Sequence, residues 1–111
     1  MPRQRIYFKW GIPKTVVTVV VALCADYDRR KKAIELESLS APVAERYAEL
    51  NGIIDAALAD VEQGIRALIL KDLQQGKGYD ASMASPFIGK NGYYNRKRKV
   101  IHDIAVGLHF I

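Results

Sequence analysis

From Val43 onward the apolar side chains recur at steps of three and four: Tyr47, Leu50, Ile54, Ala57, Val61, Ile65 and Leu68. That spacing is one face of an α-helix, held over roughly seven turns. Ile53, Leu58 and Ile69 widen the stripe, so it can pack on more than one neighbour. Ser38-Leu39-Ser40-Ala41-Pro42 punctuates the chain before it, with Ser40 or Ala41 suited to the N-cap, Pro42 to the first turn and Glu45 to the early turns. Gly76-Lys77-Gly78 ends it, because glycine accepts the left-handed conformation that closes a helix. The pattern predicts a helix over residues 42–75, about 50 Å long at ~1.5 Å per residue. Asn51-Gly52 is its weakest point by propensity. Such a helix is longer than a chain of this size needs for its own core, so the stripe would serve either a monomer core or a homodimer.

A second apolar run, Thr15–Ala25, is uncharged. About twenty apolar residues are needed to span a bilayer as a helix, so this run of eleven is too short. It has the length of a signal-peptide h-region, but Trp10, Gly11 and Pro13 before it form a turn-like entry and not a simple charged one. Val16, Val20, Leu23 and Tyr27 follow helical spacing. A first helix over residues 13–37 is expected, taking in the basic run Arg29–Lys32. Val16–Val21 would also suit a buried strand, yet no second β-rich run offers it a partner.

Beyond the glycines, Tyr79–Ser85 is read as short helical turns stopped by Pro86, followed by a turn at Phe87–Gly89. A last helix begins near Asn91 and turns Tyr94, Ile101, Ile104, Ala105 and Leu108 inward. The expected fold is all-α: a single domain with a basic arm over residues 1–12, one long central helix, and a helix-turn-helix over residues 79–108.

The composition is consistent with this. Half of the 111 residues are apolar, which is enough for a core without disulfides or a structural metal. The single cysteine excludes an internal bridge, and no Cys/His set offers four zinc ligands. The formal charge of +5 is unevenly spread. Residues 1–14 carry four basic and no acidic side chains, residues 15–75 seven and ten, and residues 76–111 six and two. Two basic ends around an acidic middle point to an anionic partner.

The C-terminal end is where that charge meets a motif. Five cations fall between Lys90 and Lys99, on the second helix of the expected helix-turn-helix. In that motif the second helix enters the major groove with its N-terminal residues at base edges. Arginine and asparagine match guanine and adenine in bidentate geometry, while lysine and tyrosine more often reach phosphates. The candidate DNA-binding residues are therefore Lys90, Asn91, Tyr93, Asn95, Arg96, Lys97, Arg98 and Lys99. Lys90, Asn91, Tyr93, Asn95, Arg96 and Lys99 are placed on one exposed face, with Tyr94 and the stem of Lys97 against the core and Arg98 open to either side.

The string Gly92-Tyr93-Tyr94-Asn95-Arg96-Lys97-Arg98-Lys99-Val100-Ile101-His102-Asp103-Ile104-Ala105-Val106-Gly107-Leu108 resembles the C-terminal motif of the RinA/ArpU-type phage transcriptional regulators. These end in a tyrosine-rich basic helix within a helix-turn-helix similar to sigma-factor region 4. Leu23–Ile34, with Tyr27 and its following basic residues, resembles their N-terminal stretch, and the helix around Val61–Ile65 stands at their central helix. Gly89 and Gly92 occupy positions where family members commonly carry serine and threonine. The resemblance implies a cytoplasmic, non-enzymatic regulator of transcription in a phage or prophage. Its implied partners are double-stranded DNA and RNA polymerase, without a cofactor or a membrane.

Other chemistry is less well supported. His102 and His109 have only Asp103 beside them and make a poor metal set. Cys24 lies in an apolar run without a base in view. Asp55, Asp60 and Glu62 are read as the solvated face of a helix. Gly76-Lys77-Gly78 lacks the spacing of a phosphate loop and follows a helix, not a strand. The competing class is a helical phage adaptor or packaging protein that binds DNA without sequence preference, or binds an acidic protein.

Overall fold

Asp26 interrupts the first helical run, and Asp60 to Glu62 interrupts the second. The computed structural model describes residues 11–77 and 89–111, and within them the chain is all-α. Helix α1 spans Lys14–Ala25, α2 Tyr27–Glu35, α3 Ala41–Ala59, α4 Gln63–Gln75 and α5 Lys90–Gly107. The helix expected over 13–37 is therefore two helices, and so is the long helix expected over 42–75. The first half of the expected helix-turn-helix, and most of the basic arm, lie outside the described residues.

The second interruption has a physical cause. The last carbonyls of a helix lack intrahelical partners. Arg66 of α4 reaches back over the turn, its Nη2 donating to the carbonyl of Ala59, the last residue of α3, at 2.9 Å and its Nε to that of Val61 in the turn at 2.6 Å. The turn is satisfied without glycine or proline. Asn51, in contrast, lies in unbroken helix. Its side chain accepts from Arg30 Nε at 2.8 Å and donates to the Tyr27 carbonyl at 3.2 Å, tying α3 to α2. Arg30 is 2% exposed and also donates to the Leu23 carbonyl at 2.5 Å, with Asp26 as its counter-charge. A member of the basic run is thus a buried clamp between α1, α2 and α3.

Helix starts and stops otherwise follow local rules. Ser40 is the N-cap of α3 with proline in the first turn, and Gly76 at φ 66° ends α4. The amide of Lys77 then bonds to the Asp72 carbonyl at 2.9 Å, as in a Schellman closure. α5 ends the same way on a non-glycine residue: His109 takes φ 62° and the Phe110 amide bonds to the Ala105 carbonyl at 2.9 Å.

The helices pack in four main pairs, α2 on α3, α3 on α5, and α1 on both α4 and α5. One core results. It takes Val17, Val20 and Cys24 from α1, Ile54 and Ala57 from α3, Ile65, Ile69 and Leu73 from α4, and Tyr93, Val100, Ile101 and Ile104 from α5. Val61 in the turn is buried with them, so the apolar stripe continues across the break. Its later positions are buried within the chain, while Val43 at its start is 40% exposed. Among the described residues, no helix is long and apolar enough to cross a membrane.

Candidate nucleic-acid interface

α5 opens at Gly89, which is extended (φ −79°, ψ 172°) and offers no capping side chain. The first amides of this helix therefore depend on other partners, and its N-terminal end carries the positive pole of the helix dipole. Lys90 and Asn91 at this end are exposed. At about 100° per residue, Asn91, Asn95, Arg98 and His102 form one stripe at steps of four, three and four, away from the buried Val100 and Ile104. Within the stripe Arg98 Nη1 donates to Asn95 Oδ1 at 3.3 Å, and the half-buried His102 ring lies 3.2 Å from Asp103.

Arg96 and Lys99 flank this stripe on the side of the α3–α4 turn. Arg96 Nη2 meets Glu62 at 2.8 Å, with Nε 3.2 Å from each carboxylate oxygen. Lys99 Nζ donates to Asp103 at 2.6 Å and to Asp60 at 3.3 Å. The Arg96 guanidinium and then the residue's own backbone N–H hold the Glu62 carboxyl at about 2, against an ordinary 4.5. Lys99 is held above its ordinary value, by Asp103 more than by Asp60. Asp60 and Glu62, expected to be merely solvated, are the partners of two candidate DNA contacts. Asp55, read with them, instead accepts the Tyr27 hydroxyl at 2.6 Å.

Two of the expected contacts turn inward. Tyr93 is fully buried, and its hydroxyl donates to the Asp72 carboxylate of α4. Burial, and then Asp72, push the phenol far above its ordinary range. Tyr94 stacks edge-on against it, the ring centroids 5.4 Å apart. The expectation that Tyr93 would face solvent is wrong, because a carboxylate on α4 supplies its hydroxyl with a partner inside the core. The signal was present in the spacing: Tyr93 stands seven before Val100 and eleven before Ile104, on the apolar stripe. Lys97 is half-buried and donates to the Lys77 carbonyl at 2.7 Å. Burial lowers its pKa, with Asp72 opposing. Its ammonium thus closes the end of α4.

The remaining candidates are Lys90 and Asn91, which are exposed, and Asn95, Arg96, Arg98 and Lys99, which are half-buried with the Arg98 Nε inside, on about three turns of one helix. Forked guanidinium and ammonium donors there flank amide groups that can both donate and accept, which is the chemistry of an anion contact. Among the described residues no group of His, Cys, Asp and Glu could hold a metal ion. The chain matches no family model, no curated protein and no solved structure.

Proposed function

We propose that this chain binds double-stranded DNA as a transcriptional regulator of the RinA/ArpU type, of phage or prophage origin, with α5 as the helix that enters the major groove. The observation that carries the reading is the stripe Asn91, Asn95 and Arg98, flanked by Lys90, Arg96 and Lys99, on the N-terminal half of one helix. Asparagine and arginine supply base-edge contacts, and the flanking cations supply phosphate contacts that set the helix in the groove. Tyr93 and Lys97 act behind this surface, holding α5 on α4. The ion pairs of Arg96 and Lys99 do not oppose the reading. Exposed pairs contribute little net stability, so phosphates can replace the carboxylates. The reading implies a cytoplasmic protein without enzymatic activity.

Selection of bound sequences from random duplex DNA at about 0.15 M salt tests it. A single motif is expected, and Arg98→Ala should relax preference at one base position by about 1–3 kcal/mol. Equal affinity for all duplexes, vanishing uniformly with salt, would favour the packaging protein instead. DNA affinity unchanged by Arg96→Ala, Arg98→Ala and Lys99→Ala together would refute the assignment of α5.

A further inference from the structure

The carboxylates of the α3–α4 turn have no part in the DNA reading, yet they are held with care. Asp60 closes α3 and Glu62 opens α4 on either side of the buried Val61. Arg66 fixes the turn from beneath through the Val61 and Ala59 carbonyls. The two acids are thereby presented to α5 from 34 and 39 residues away in sequence, Glu62 to Arg96 and Asp60 to Lys99. All four side chains remain open to water, between 40% and 65% exposed. A carboxylate at 2.8 Å from a guanidinium has the charge sign, the acceptor chemistry and the distance of a phosphate contact.

We infer that the acidic turn is an internal competitor at the DNA interface: Glu62, with Asp60 beside it, occupies Arg96 in place of a backbone phosphate and so weakens phosphate-driven binding. This rests on the DNA reading of α5. Sequence-independent affinity comes almost wholly from cations that neutralise phosphates and release counterions. Each cation engaged by an intramolecular carboxylate is one fewer available for that, and the displaced carboxylate then repels the phosphate that replaced it. The exchange costs the same at a cognate and at a random site, so the acidic turn weakens binding to both, and base-edge contacts add to the cognate complex independently of it.

The test uses the full chain, a random-sequence duplex and a duplex recovered by selection, with affinity followed across a salt series. Asp60→Asn with Glu62→Gln should tighten binding to the random duplex by about threefold to fivefold. It should also steepen the slope of log K against log salt by about 0.9, for the one phosphate contact that Arg96 gains, because Lys99 stays held by Asp103 at 2.6 Å. The selected duplex should gain by a similar factor, so discrimination is unchanged. Glu62→Gln alone should give most of the change in slope, since it is the partner of Arg96. Glu45→Gln with Glu49→Gln makes the same change in net charge on the outer face of α3, where Glu49 pairs with Arg46, and should change binding less than about twofold. Thermal melts of each variant confirm that folded chains are compared. A wild-type chain that binds, with a turn variant that binds no better or only follows the α3 control, overturns the inference alone. Absence of duplex binding in both wild type and turn variant overturns the DNA reading and the inference with it. Binding only by the turn variant supports both.

Discussion

Tyr93→Phe removes one hydroxyl and leaves the ring, its edge-on contact with Tyr94 and its place in the core. In the folded chain Tyr93 is 0% exposed and Asp72 5%, so water cannot substitute readily for the lost donor. A hydrogen bond to a charged group contributes about 1.5–3 kcal/mol net, and an acceptor left buried and unpaired costs a similar amount. We expect a loss of about 2–3 kcal/mol, which for a domain near this size lowers Tm by roughly 8–15 °C. Urea denaturation with linear extrapolation reads the free energy, and DNA affinity is measured under conditions where the variant stays folded. Affinity should then be close to wild type. Tyr93→Phe with Asp72→Leu should recover part of the loss, since removing both polar partners leaves neither unsatisfied. Recovery will be incomplete, because Lys97 loses the carboxylate that favours its charge. A Tyr93→Phe chain within about 0.5 kcal/mol of wild type but weakened on DNA would refute the reasoning. It would return Tyr93 to the DNA-facing side.

Three further outcomes follow from the same geometry. Gly76 sits at φ 66° with open space where a Cβ would stand, so Gly76→Ala should cost about 1 kcal/mol from backbone conformation alone, and Gly76→Asn less, by the same denaturation assay. Burial pushes the Cys24 thiol up to about 12, so the native chain at pH 8 should resist thiol labelling and react only as fast as it opens; prompt labelling would refute the buried α1. The Glu62 carboxyl is depressed to about 2, so its pair with Arg96 contributes stability that is complete above the ordinary 4.5 and lost as pH falls toward 2. Melting temperature should therefore fall through that acid window, and less steeply in Arg96→Gln. Equal slopes would mean that the pair contributes no net stability.

Periodicity was a good guide to which residues enter the core and a poor guide to where helices end. Ala57, Val61, Ile65 and Ile69 are all buried, and their steps of four run through the α3–α4 turn as though it were helix. The break depends on Arg66 reaching the Val61 and Ala59 carbonyls five and seven residues back, a side-chain contact that apolar spacing does not show. Arg30 shows the same gap between composition and structure: it sits in a run of four cations and is the one held inside, by Asn51 and the Leu23 carbonyl. Charge density located the surface on α5 because five cations in ten residues cannot all be buried. What it did not carry is how those cations are spent at rest. Arg96 and Lys99 face carboxylates more than thirty residues away, and Lys97 caps a neighbouring helix. An anion approaching α5 therefore competes with Glu62 for one cation and with Asp60 and Asp103 for another. On the proposed reading, the strength of DNA binding would follow from the difference between phosphate and carboxylate at those two positions, more than from the net charge of +5.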